Sequence, residues 1–339
     1  MPDPVQQGPK MAKGWRRIVP LFGYGLVLLG CQAGVNEELV ATPTPYLVRS
    51  PIAPEAQGTP RNGDASLTDA LATGEAGLGA GDPAAATAYS EAIVRDPSLV
   101  PAFIGRGLVA MGQAQGDPAT YQRALDDLNR ALSLEPASIP ARIGRARVYL
   151  DRFRFRGDPT DLDRARTELD VVLAKGPSEE AQLLLVRVHV AAGDLVEARR
   201  VLDAPVVRRV NGDSASESER AIARATVALA GRQSAEAVTA AMAALDAAPA
   251  SIEANRLLAE AHLLDDDPEA ALNAADDLLA RREDDGPALF LRAAALARLG
   301  QSAEAERATA LARERLAASP VYLARIAQMS VSLAPAATP

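Results

Sequence analysis

The sequence predicts an all-α solenoid of about seven helix-turn-helix repeats ended by a capping helix, and three observations predict it. Composition is the first: 48% of the 339 residues are apolar but only 4% are aromatic, and alanine, leucine, arginine and glutamate dominate beyond residue 67. That mixture favours closely packed helices, because sheets enrich β-branched and aromatic side chains. The second observation is a recurring spacing of small residues, and the third is a recurring turn.

The spacing starts from an alanine followed at offsets of four, seven and twelve by small or apolar residues and then a proline. It reads Ala85, Tyr89, Ala92, Pro97; then Ala124, Leu128, Ala131, Pro136; then Ala165, Leu169, Val172, Pro177; then Ala237, Ala241, Ala244, Pro249. Weaker copies begin at Ala198, Ala271 and Ala305, where the closing proline is missing or displaced. Offsets of four and seven share one helical face, and the proline stops the helix. The seven anchors lie 39, 41, 33, 39, 34 and 34 residues apart, which is a period of 34 with insertions.

The turns divide the chain at the same places. Gly81-Asp82-Pro83, Gly116-Asp117-Pro118 and Gly157-Asp158-Pro159 each put glycine at the end of one helix, a capping aspartate next, and proline in the first turn of the following helix. Asp267-Pro268 repeats the last two. Helix capping explains Asp267 and solvation explains Asp265 and Asp266, so this acidic run is not read as a metal site.

A helix-turn-helix unit of 34 residues with small residues at fixed contacts resembles the tetratricopeptide repeat. In that family a small first-helix residue precedes the second-helix alanine by twelve positions, which Ala225, Ala259 and Ala293 satisfy without a gap. Gly107 and Ala146 satisfy it once insertions of five and seven residues are allowed, while Val186 and Thr73 hold the position in the other two repeats. Small residues are needed there because helices nest 8–10 Å apart only where no bulky groups meet. The resemblance implies a right-handed α-solenoid over 67–319, with Val321, Leu323, Ile326 and Met329 of the 320–333 helix as its cap and 334–339 as a tail.

The resemblance also implies a concave groove lined by the first helices, which holds protein or peptide partners. Its groove-facing positions fall on Ile104, Leu108, Ile143, Arg147, Leu183, Arg187, Ile222, Arg256, Glu260, Phe290 and Arg298. Arg147 and Arg187 hold equivalent places in neighbouring repeats and are expected to bracket an acidic segment, since a guanidinium meets a carboxylate through two parallel hydrogen bonds. The lysine and asparagine pattern with which chaperone-binding members clamp a terminal carboxylate is absent from this sequence.

A second candidate is the densest basic stretch: Arg142, Arg145, Arg152, Arg154 and Arg156, with Arg147 among them and Tyr149, Phe153 and Phe155 interleaved. In an acidic chain it is the best local match for an anionic protein or polysaccharide. Phe153 and Phe155 have the plainer reading of closing a long turn between helices. Nucleic acid is not expected as a ligand, because phosphate binding requires a basic face and the formal charge is −8. Enzymatic activity is not expected either. There is no nucleophile elbow, phosphate-binding glycine loop or cysteine cluster, and both histidines, His189 and His262, occupy packing positions of first helices. No cofactor is implied.

The N-terminal residues carry an address. Lys13, Arg16 and Arg17 precede the charge-free apolar run Ile18 to Leu29, which is too short to span a bilayer that needs about 20 residues. Leu28-Leu29-Gly30-Cys31 follows. These parts resemble a bacterial lipoprotein signal, with translation starting at Met1 or Met11. The resemblance implies cleavage between Gly30 and Cys31 and lipid on the Cys31 sulfur, two acyl chains being needed for stable anchoring. The alternatives are a buried cysteine, an uncleaved anchor to about Asn36, or a cut after Ala33. Loss of residues 1–30 takes the charge to −11, as four basic residues and one acidic leave with them. Residues 31–66, with Pro43, Pro45, Pro51, Pro54 and Pro60, read as a disordered tether between lipid and solenoid. The expected location is outside the cytoplasm, at the cell membrane or outer membrane.

Overall fold

The computed structural model of the chain describes residues 71–72, 82–204 and 214–333. The signal segment with Gly30 and Cys31, the 31–66 tether, Thr73 and the 334–339 tail lie outside the described residues. Among the described residues there are fourteen helices and no strand. The first, α1 (Pro83–Arg95), is the second helix of repeat one. Six pairs follow: α2 (Val100–Ala114) with α3 (Pro118–Leu134), α4 (Ile139–Arg156) with α5 (Thr160–Lys175), and α6 (Glu179–Ala191) with α7 (Leu195–Leu202). The next three are α8 (Ser214–Ala230) with α9 (Ser234–Ala247), α10 (Ile252–Leu264) with α11 (Pro268–Arg281), and α12 (Gly286–Arg298) with α13 (Ser302–Arg315). The last helix is α14 (Pro320–Leu333).

Capping sets these boundaries. Asp82, Asp117 and Asp267 each accept a backbone N–H from the first turn of the helix that follows, at 2.8, 2.9 and 3.0 Å. Gly157 ends α4 in the left-handed conformation at φ 75°, where a side chain would be strained. Asp158 then accepts the Thr160 N–H at 3.0 Å, so Thr160, not Pro159, opens α5.

All seven second-helix alanines are buried: Ala85, Ala124, Ala165, Ala198, Ala237, Ala271 and Ala305. So are their first-helix counterparts Ala146, Val186, Ala225, Ala259 and Ala293. Contact there is close enough that a Cβ on Gly107 would stand 3.0 Å from the Ala124 carbonyl oxygen. Gly105 has even less room, since a Cβ would enter the Tyr89 ring at 2.2 Å. Alanine in place of glycine within a helix normally gains up to about 1 kcal/mol. Gly105→Ala is expected instead to destabilise by about 1–3 kcal/mol, as forced overpacking does, and urea unfolding would measure it.

The insertions in repeats two and three do not make long turns. They lengthen helices, so that α2 and α4 run to 15 and 18 residues. Phe153 and Phe155, read from sequence as closing a turn, sit buried within the last turns of α4. The extension puts Phe155 into the apolar cluster formed by α10 to α14, far away in sequence. The seven repeats therefore curl until the last reaches the second and third.

Candidate functional site

Every described groove position lies on a first helix as the register requires, and the coil turns these positions toward one another. Ile104, Leu108, Ile143, Leu183, Ile222 and Phe290 are buried. Arg147, Arg187 and Arg256 are buried too, with exposures of 5%, 1% and 2% that leave no room for a bulk-solvent shell. Glu260 and Arg298 retain partial exposure.

The partners of these charges come from other repeats. Arg147 pairs with Glu180 of the next repeat and with Glu219 of the one beyond, at 2.5 and 3.7 Å. Arg187 of α6 meets Glu253 of α10, a carboxylate that is 1% exposed. Arg256 reaches Asp285 at 2.8 Å and Glu253 at 3.6 Å. The other Asp285 oxygen caps α12 by accepting from the Ala288 N–H at 2.9 Å. Arg298 donates to the Leu263 carbonyl and lies 3.7 Å from Asp266. The carboxylates that Arg147 and Arg187 meet thus belong to their own chain and stand on three different helices, not on one acidic segment.

Burial shifts these groups in ways that report the low local polarity. The Arg187 guanidinium is pushed down to about 10 by burial, opposed by Glu253. Burial works against Arg256 as well, yet Asp285 and Glu253 outweigh it and hold its value above the ordinary one. Asp151 is raised to about 6 by burial, although Arg154 and the hydrogen bond donated by the Tyr121 hydroxyl at 2.6 Å pull it down. Glu260 is raised to about 7, again first by burial, with Arg325, Arg154 and Arg256 acting in the opposite sense.

The arginines of α4 are also engaged within the chain. Arg142 and Arg145 both pair with Glu168, Arg152 forms a two-pronged contact with Asp161, and Arg154 lies 3.2 Å from Asp151. Arg156 donates to the carbonyls of Gly116 and Ala318 at 3.3 and 3.4 Å. Tyr149 stacks under the Arg152 guanidinium at 5.4 Å. What reads in sequence as a basic stretch is, in three dimensions, tied into the chain by ion pairs to the next helix at Arg142, Arg145 and Arg152, an ion pair within α4 at Arg154, and backbone carbonyls at Arg156.

Both histidines serve packing and turns. His189 is buried with its pKa lowered by desolvation, and its Nδ1 lies 3.9 Å from Asp194, the residue capping α7. His262 and the α11 cap Asp267 repeat the arrangement at 3.9 Å.

Two comparisons of the sequence, with protein-family models and with curated proteins, find no match. Solved structures do match. The Cut9 and Hcn1 hetero-tetramer of APC/C aligns at a TM-score of 0.50 with 14% identity, over 78% of this chain and 52% of that one. The fold is a TPR-like solenoid. A tetratricopeptide repeat protein from Parabacteroides merdae aligns over 80% of this chain and all of its own, at 13% identity and a TM-score of 0.48. The alignment spans about half the length of the chain it matches in that hetero-tetramer.

Within the TPR-like register, sequence reasoning missed three buried acidic partners of the arginines and one aromatic residue of the closing contact. Asp151, Asp285, Glu253 and Tyr322 were assigned no role. A signal for Tyr322 existed: Tyr322, Ile326 and Met329 keep the i, i+4, i+7 spacing of a buried face and are buried in α14. Val321 and Leu323, expected in the cap, are only half-buried.

Proposed function

We infer that this chain is a non-enzymatic interaction scaffold that holds a protein or peptide partner and is fixed to the cell envelope by lipid on Cys31. The observation that supports the first half is the array of helix pairs among the described residues. Such an array offers extended surface and side chains held by neighbouring repeats, which suits macromolecular recognition. A protein partner is favoured over an anionic polysaccharide because the α4 arginines already meet carboxylates and carbonyls of their own chain. The anchoring half is supported by the order of basic, apolar and Leu-Leu-Gly-Cys elements ending at Cys31.

Each half has its own test. Crosslinking of the intact chain in its envelope should retain proteins, and the purified chain should not be held by cell-wall polysaccharide; retention by polysaccharide alone would reverse the reading. Cys31→Ala should move the chain from the membrane to the soluble fraction with unchanged far-ultraviolet circular dichroism. Persistence in the membrane would reject lipid anchoring.

A further inference from the structure

A groove that holds an extended chain needs first-helix side chains free to turn to the ligand and a mouth through which it enters. The described residues offer neither. Nine of the eleven first-helix positions expected to line the groove are at most 6% exposed. The other two, Glu260 and Arg298, are half-buried, and Arg298 already donates to the Leu263 carbonyl. Across the inside of the coil, side chains from helices two repeats apart meet directly: Arg147 of α4 lies 3.7 Å from Glu219 of α8, and Arg187 of α6 pairs with Glu253 of α10.

The mouth is joined shut by contacts between segments 164 to 171 residues apart. Gln115, just past α2, accepts the N–H of Gly286 at the start of α12 at 3.1 Å. Arg282 donates to the Gly112 carbonyl at 2.9 Å. Ser319, just before α14, donates to the Phe155 carbonyl at 2.7 Å, and the Tyr322 ring lies 5.3 Å from the Phe155 ring.

We infer that the groove of this array is not a binding site: its first helices form the core, and a protein partner is met from outside, on the second helices, as a folded surface and not as an extended chain. That a partner exists rests on the reading given under Proposed function. Closure of the groove does not.

The hydrogen-bonding needs of an extended chain decide between the two kinds of partner. Its backbone N–H and C=O groups must be paired wherever they leave water. Sites for such chains supply a sheet edge, or a groove whose side chains do the pairing. No strand occurs among the described residues, so there is no edge, and helix backbones pair their own groups. The inner guanidiniums are the donors left, and they are held by carboxylates of their own chain. A ligand that drew Arg187 from Glu253 would leave that carboxylate buried without its nearest cation, a penalty of about 10²–10³-fold in affinity at this one contact. A folded partner arrives with its backbone already paired and needs only side-chain surface. Of the five large apolar side chains that stand exposed among the described residues, Val94, Val196, Met242 and Leu311 are on second helices, and Ile139 opens α4.

Two measurements on the full chain test this together. The first places a leucine-sized diazirine residue at Leu108 or Leu183, inside, and at Val196, Met242 or Leu311, outside, and crosslinks the intact chain in its envelope. Protein adducts are expected from outer positions alone; adducts from Leu108 or Leu183 would overturn the inference. The second needs no partner. Cys31 is the only cysteine, so Leu183→Cys and Val196→Cys are each made with Cys31→Ala and treated with a polymer-linked maleimide. Val196→Cys should react about 100-fold faster in native buffer, with the difference lost in guanidinium. Equal native rates, with wild-type helix content, would overturn groove closure. Ile222→Cys takes the place of Leu183→Cys if that variant does not fold. A slow inner cysteine without adducts from either face would uphold the closed groove and reject the interaction reading instead.

Discussion

Arg187→Ala is expected to cost about 3–5 kcal/mol of folding stability, the largest single-residue loss at the inner face. Arg187 and Glu253 are each 1% exposed and bridge the first helices of repeats four and six. Removal of the cation leaves Glu253 buried with only Arg256 at 3.6 Å for compensation, and that arginine already pairs with Asp285. The pair itself is not a comparable net gain, because desolvation offsets most of the attraction. Arg187→Met combined with Glu253→Leu should therefore recover most of the loss. Guanidinium unfolding of the two single variants and the double variant measures this, and additive losses would show that the residues do not interact.

Leu128→Ala should cost about 3–5 kcal/mol, at the upper end of leucine truncations. Leu128 is fully buried, and its side chain fills the space opened by two glycines in different repeats. A Cβ on Gly107 would stand 3.2 Å from its Cγ, and one on Gly144 would stand 2.7 Å from its Cδ2. Truncation thus empties a cavity walled by rigid helix backbone on both sides, which cannot collapse cheaply. A midpoint shift in urea without a change in slope is the expected signature. A loss under about 1 kcal/mol would mean that the repeats are held loosely at this crossing.

What sequence made legible was the local part of this fold. The alanine anchors, their first-helix partners and the aspartate caps are written in spacings of four to twelve residues, and those distances are set by helix geometry alone. The first-helix places of Arg147, Arg187 and Arg256 came from the resemblance to the tetratricopeptide repeat and not from spacing. Their partners were not legible at all. Glu219 and Glu253 lie two repeats away, and whether they reach the arginines depends on curvature accumulated over several helix pairs. The insertion in repeat three was visible, but Phe153 and Phe155 fit a turn and a helix equally well until α14 provided a surface for Phe155. Arg142, Arg145 and Arg152, read as part of a basic stretch for an anionic partner, form interhelix ion pairs because Glu168 and Asp161 come from the following helix.

The repeat array closes on itself, and its inner face is occupied by charges of its own chain. Spin labels on the exposed residues Ala119 and Ala317 test this most directly, since the nearby Gly116 and Ala318 are in contact although repeats three to six separate them along the array. One short, narrow distance between the labels is expected. A long or broad distribution, with helix content intact, would contradict closure of the array.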